Sequence, residues 1–265
     1  MSRSQKNSLA GKRIVITRPQ GQTTPLRDAL EKQGATVLEL PLLSIEYLSA
    51  SETSKEIFES MGQYDWLVFT STNGVHGFFN QFFASFKDIR GIGLCRIGCV
   101  GPATARAVED YHLQVDVLPE EHTGEALAQA MVAEHHLEHL RILVITGNRN
   151  RETVTTILTK QGQAIVDVLP VYETQENDVA HLAAAEEFRQ TGADAIVFAS
   201  PSAVDAFLSQ ARQLKLSPQA SQPRAVAIGA VTASAMKDAG IPVAAQAKEA
   251  TATALAQAVA QALAG

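Results

Sequence analysis

Short, unbroken apolar runs recur along the chain and alternate with stretches of helical spacing. "RIVIT" (13–17), "TVLEL" (36–40), "DWLVFT" (65–70), "CRIGCV" (95–100), "RILVIT" (141–146), "DAIVFA" (194–199) and "RAVAIG" (224–229) are of this kind. They are continuous rather than alternating, which suits parallel strands covered on both faces by crossover helices. Helical patterns fall between them, over 25–34, 102–111, 123–138, 150–161, 201–213, 230–239 and 251–263. The rhythm predicts an α/β fold with open parallel sheets flanked by helices.

The pattern also repeats. "VFTSTNGVHGFF" (68–79) matches "VFASPSAVDAFL" (197–208), and "VGPATA" (100–105) matches "IGAVTA" (228–233). Phe69 and Phe198 lie 129 positions apart, Gly101 and Gly229 lie 128 apart. "RIVIT" pairs with "RILVIT", and "KQGATVLELP" (32–41) with "KQGQAIVDVLP" (160–170). Four matched segments in one order imply duplication and two similar domains. The repeat leaves open which domain owns the first strand and helix of each half. Extended, Pro-containing stretches at 39–47 and 168–177 are the candidate linkers.

Ligands of open parallel sheets bind beyond the carboxyl ends of the strands. Ser71, Thr72 and Asn73 stand at one such end, and Ser200, Pro201 and Ser202 at its repeat. These residue types suit helix N-termini, where capping alone would explain them. Gly101 and Gly229 open the other pair of corners and let backbone N–H groups approach a ligand. Thr104 and Thr232 fall in the first helical turn that follows. The two pairs of corners suggest four helix N-termini lining one cleft between the domains. Arg18, Arg149 and Arg151 follow strands and offer guanidinium forks for carboxylate or phosphate.

Composition narrows the ligand. Net charge is −6, against a nucleic-acid or anionic-membrane surface, which needs a basic patch. Small anions held by a few Arg and N–H groups remain compatible. The polar N-terminus lacks a signal-peptide core, so a cytoplasmic location is expected. There is no Walker-type loop and no nucleophile elbow, and the glycines of 91–98 precede their strand instead of following it. Cys95 and Cys99 read as small buried hydrophobes on one strand face. In "EHHLEH" (134–139) His135 and His139 stand at i and i+4, a possible zinc pair without a third ligand. No metal or cofactor is expected. Tyr172, in "LPVYET", either packs or donates a proton at the mouth of the cleft.

Together, "VITRP" (15–19), "FTSTNGV" (69–75), "VGPATA" (100–105), "VYET" (171–174), "FASPSAV" (198–204), "AIGAVTA" (227–233) and "KEATATAL" (248–255) resemble the uroporphyrinogen-III synthase family, in the family's order. The resemblance implies two similar α/β domains joined by a two-stranded linker. One is 1–39 with 173–265, the other 42–168, with linkers 39–42 and 168–173, so that the first strand and helix complete the C-terminal half. It implies a cofactor-free monomer acting on a linear tetrapyrrole polycarboxylate. It also implies substrate contacts at Ser71, Asn73, Thr104, Ser200 and Thr232, backbone approach at Gly101 and Gly229, and Tyr172 as the acid. Within "TGNRNRE" (146–152) Gly147 and Arg151 keep the family's pattern, whereas Thr146 replaces an Arg and Asn150 a Gly. The competing reading is a non-catalytic two-domain cytoplasmic sensor of a small polyanion.

Overall fold

Strand and helix follow one another almost without interruption in the computed structural model, which describes residues 8–148 and 152–264. The chain runs β1 (Arg13–Ile16), α1 (Thr24–Glu31), β2 (Thr36–Glu39), β3 (Leu43–Tyr47), α2 (Glu52–Glu59), β4 (Trp66–Phe69), α3 (Thr72–Ser85) and β5 (Arg96–Cys99). It continues through α4 (Pro102–Glu109), α5 (Gly124–Glu134), β6 (Arg141–Gly147), α6 (Thr153–Lys160), β7 (Ile165–Glu176) and α7 (Ala183–Thr191). The last elements are β8 (Ala195–Phe198), α8 (Pro201–Ser209), β9 (Arg224–Ala227), α9 (Ala230–Asp238), β10 (Val243–Gln246) and α10 (Ala252–Ala264).

Two units result. One comprises Met1–Ser44 with Gln175–Gly265, the other Ile45–Thr174. The strands β3 and β7 carry the chain across these divisions, and they neighbour each other in one sheet. Residue 172 therefore lies in β7 and within the second unit.

The first unit's sheet has the order β10-β9-β8-β1-β2, with parallel pairing of β1 to β2, β8 to β9 and β9 to β10. The chain's first strand pairs with a strand of its second half: Ile14, Val15 and Ile16 face Ala195, Ile196 and Val197. The second unit's sheet has the order β3-β7-β6-β4-β5, parallel from β7 to β5. The two orders correspond, with β4 and β5 in the places of β8 and β9, and β6 and β7 in those of β1 and β2. Each half of the repeat has thus lent its first strand–helix–strand to the other sheet.

The continuous apolar runs follow from this architecture. Each sheet is covered on both faces, so successive residues of one strand enter different cores. Leu67, Phe69, Leu143 and Ile145 pack beneath α3 and α4, whereas Trp66, Val68, Ile142 and Val144 pack against α5 and α6. In the first unit Val15, Ile196 and Phe198 face one core, and Ile14, Ile16 and Val197 the other. Burying each such side chain stabilises the fold by about 1.5–3 kcal/mol.

Two expectations change. The helix expected over 123–138 stops at Glu134, where His135 turns extended (φ −135°, ψ 144°). The helix expected over 201–213 stops at Ser209.

Candidate functional site

Each sheet has a point where neighbouring strands send their connections in opposite directions. In the second unit it lies between β4 and β6, in the first between β1 and β8. Such switch points open a crevice at the carboxyl ends of the strands.

Ser71 follows β4 and opens α3. Its backbone is extended (φ −164°, ψ 159°), and its Oγ accepts the Gly74 N–H at 2.9 Å. The cap satisfies one of the donors that a helix start leaves without a partner. The same hydroxyl donates to Tyr172 Oη at 3.0 Å. Ser71 and Tyr172 are 101 positions apart, and β7 brings them together.

The approach depends on a register shift. Thr146 faces Pro170, but Gly147 faces Tyr172, so β7 carries one extra residue at Val171. A bulge of this kind re-aims the following side chain. Val171 and Tyr172 consequently pack into the same core, although adjacent strand residues ordinarily diverge. The Tyr172 ring lies over Gly147, where a Cβ would come within 2.5 Å of it. Asn148 braces the segment: its N–H donates to the Tyr172 carbonyl at 3.2 Å, and its Oδ1 accepts the Thr174 N–H at 2.9 Å. Gly147 and Asn148 have these roles only through tertiary contact, which strand periodicity does not encode.

Thr72 and Asn73 are the first two residues of α3 and are half-buried. Gly101 precedes α4, is buried, and lies against the His122 ring; Thr104, also buried, is the third residue of that helix. Among the described residues no side chain caps α4, so its leading N–H groups are left to other acceptors. His122 had no signal in the sequence beyond its place one residue before the Thr123 cap of α5.

The first unit repeats the arrangement without the phenol. Ser200 opens α8, with Oγ accepting the Ala203 N–H at 3.2 Å, and half-buried Pro201 and Ser202 follow. Gly229 opens α9 without a side-chain cap, and Thr232 is buried in its first turn. Arg18 follows β1 on the other side of the switch point. Buried Thr17 fixes this end of β1, its Oγ1 donating to the Val197 carbonyl at 2.8 Å. Burial pushes the Arg18 guanidinium below its ordinary pKa, and no carboxylate among the described residues is within ion-pair reach. A cation so placed is suited to an incoming anion. Arg149 and Arg151 lie outside the described residues.

Two other candidates resolve differently. His135 lies beyond the end of α5, so the helical spacing expected of His135 and His139 does not exist. The His135 ring packs on Trp66, with centroids 4.9 Å apart, and its Nδ1 is 3.2 Å from Arg96 Nη1. Burial raises the Cys95 thiol to about 11 and Cys99 to about 12, which makes them protonated packing groups.

The family model described as "Uroporphyrinogen-III synthase HemD" matches residues 24–257. A porphyrin biosynthesis protein HemD of Ruminiclostridium josui is 28% identical over 237 residues, 88% of this chain and 45% of its own. A uroporphyrinogen-III synthase of Synechococcus elongatus is 33% identical over 170 residues, 63% of this chain and 62% of its own. The chain thus spans between about half and three fifths of the length of these relatives. Among solved structures, a mutant uroporphyrinogen III synthase of Thermus thermophilus superposes with a TM-score of 0.68 at 17% identity, over 96% of this chain and 99% of that one. The Helicobacter pylori enzyme superposes at 0.60 and 18%, over 93% and 97%.

Proposed function

The chain belongs to the uroporphyrinogen-III synthase family, and from that premise we propose that it closes hydroxymethylbilane to uroporphyrinogen III. This substrate is a linear tetrapyrrole bearing eight carboxylates. Its terminal hydroxyl leaves as water, and the resulting azafulvene closes the ring through a spiro intermediate that inverts the last pyrrole. Unassisted closure gives the uninverted isomer, so holding the chain in one geometry is the central task.

One observation carries the reading: the hydrogen-bond chain from Gly74 N–H through Ser71 Oγ to Tyr172 Oη. Ser71 donates to the phenol oxygen, which leaves the phenol's own proton to point outward. The chain starts at the N-terminus of α3 and holds the phenol oxygen in one position at the strand end. Tyr172 is thereby suited to protonate the departing hydroxyl, and this makes it the general acid.

We assign the remaining strand-end residues to the substrate's carboxylates. Arg18 supplies a charge, Arg151 a second. The uncapped N–H groups after Gly101 and Gly229 supply hydrogen bonds without making the protein basic, as the net charge of −6 requires. Thr72, Asn73, Pro201 and Ser202 shape the helix starts, and Thr104 and Thr232 support them. The protein on this reading is a cytoplasmic monomer that needs no metal or organic cofactor, with neither nucleic acid nor membrane as a partner. No helix among the described residues is long and apolar enough to cross a membrane.

The test is product identity. Protein supplied with freshly generated hydroxymethylbilane is expected to yield mainly the inverted isomer, separated chromatographically. Dominance of the uninverted isomer at every protein concentration sinks the proposal.

A further inference from the structure

Tyr172 is not the sole phenol at its end of the second unit. Leu48 N–H donates to the Val171 carbonyl at 3.0 Å, and Asn177 N–H donates to the Leu42 carbonyl at 2.9 Å. These bonds set β3 and β7 running in opposite directions, with Tyr47 directly across from Tyr172. They also make 47 and 172 a pair that exchanges no backbone bonds, the kind in which side chains approach most closely, with Cβ atoms about 5 Å apart. The bulge at Val171 lies on the β6 side of β7 and leaves this register intact.

The placement of Tyr47 is enforced. Gln81 of α3 is only 3% exposed, and its Nε2 donates to the Leu48 carbonyl at 2.9 Å. A buried amide costs desolvation, and here its bond fixes the residue next to Tyr47. Tyr47 itself stays 39% exposed, so the residue is open to a bound molecule. Its pKa is raised above the ordinary phenol value, by burial first and then by the neighbouring hydroxyls of Tyr111 and Tyr172. Tyr111 is stacked on Phe79 at 3.8 Å between centroids, a contact that occupies its ring.

We propose that Tyr47 is a second acid of this site, able to protonate the departing hydroxyl when Tyr172 does not. The inference rests on the activity assigned above. In the step, the carbon–oxygen bond of the terminal hydroxymethyl group breaks, and the phenolic proton leaves with that oxygen as water. The azafulvenium so formed then gives its pyrrole N–H proton to the phenolate, which restores the phenol. Tyr47 lacks the Ser71 hydrogen bond that holds the Tyr172 oxygen in place, so it is the less well positioned donor and matters most when Tyr172 is disabled.

The experiment is a double-mutant cycle on the full chain, with turnover and isomer identity as readouts. Tyr47→Phe alone is expected to slow turnover less than about threefold, but at least about tenfold in a Tyr172→Phe background. Equal factors in the two backgrounds overturn the proposal. A second measurement does not depend on the double variant folding. Fluorotyrosine placed at 47 in Tyr172→Phe protein makes that phenol more acidic, and the alkaline limb of the rate profile should move to lower pH. An unmoved limb overturns the proposal while leaving the activity intact. A wild-type protein that forms only the uninverted isomer overturns the activity itself, and the role of Tyr47 with it.

Discussion

A phenylalanine at position 172 would keep the ring over Gly147 and lose only the oxygen held at 3.0 Å from Ser71. Tyr172→Phe should therefore lower kcat about 10–100-fold, at the modest end of general-acid effects because Tyr47 remains, with product binding nearly unchanged. Stopped assays of turnover alongside product titration check this; equal losses in both would make Tyr172 a binding residue. Two glycines separate packing from ligand approach. At Gly147 a Cβ would displace the Tyr172 ring, so Gly147→Ala should mimic the loss of the phenol. At Gly229 a Cβ would meet nothing within 4 Å, and φ −173° suits any residue. Gly229→Ala should thus raise stability by about 0.4–1 kcal/mol by restricting the unfolded chain, while raising KM if a substrate group approaches there. Thermal melts and saturation kinetics on the two variants read these opposite outcomes. Among these residues the caps Ser71 and Ser200 were legible in the sequence, because capping is a local event. The Ser71–Tyr172 contact was not, because it depends on a register shift between distant strands.

At the scale of elements, the first strand is tied to β8 by charge as well as by its ladder. Asp194, just before β8, accepts the Arg13 N–H at 2.9 Å and pairs with Lys12 Nζ at 3.0 Å. Burial pushes its carboxyl up, but the Arg13 N–H, Lys12 and the Arg13 charge together outweigh this and hold it below the ordinary value. A depressed folded pKa contributes stability above the unfolded value, near 3.9, and that contribution is lost as pH falls through the folded one. Asp194→Asn should therefore lower the melting temperature at pH 7 by a few degrees and by less at pH 3. Equal destabilisation at both values would mean that the carboxylate's charge is irrelevant. Strands with large aliphatic side chains, such as β4 and β6, were readable as continuous runs. β10, with two alanines in "VAAQ", and α7, "AAAEEFRQT", carry too little apolar signal and depend on packing against β9 and the sheet. α5 ends earlier than its spacing predicts because His135 leaves the helix to pack on Trp66, a tertiary preference that helix spacing does not contain.

For the whole molecule, the lending of strand–helix–strand segments makes the two units unequal as pieces of chain. Ile45–Thr174 is continuous and contains all of β4, β5 and β6. Expressed alone it should unfold cooperatively and show native-like amide dispersion. Residues 175–264 lack β1, which pairs with β8 and β2 in the native sheet, and should remain unfolded until a peptide of residues 8–44 is added. A cooperative transition in the C-terminal piece alone would refute this. The repeat itself was visible in matched segments 128 or 129 positions apart. The owner of the first strand was not visible in the repeat and came only from the family resemblance, since "RIVIT" and "RILVIT" are interchangeable in hydrophobicity and either sheet could accept either run.

Pairing of β1 with β8 also sets a clock during synthesis. Ala195 emerges about 180 residues after Ile14, its partner. At about 5–20 residues per second, the first strand waits roughly 10–35 s with one edge unpaired. Within that interval, until β6 emerges to pair with it, β4 offers the waiting strand the same kind of apolar, parallel edge that β8 will later present. The order of translation therefore favours capture of β1 by the wrong sheet, and release from that trap has to precede the native pairing whenever capture occurs. Slowing translation between residues 69 and 141 should lengthen the exposure, and a nascent-chain binding factor that shields residues 13–39 should shorten the path to the folded protein.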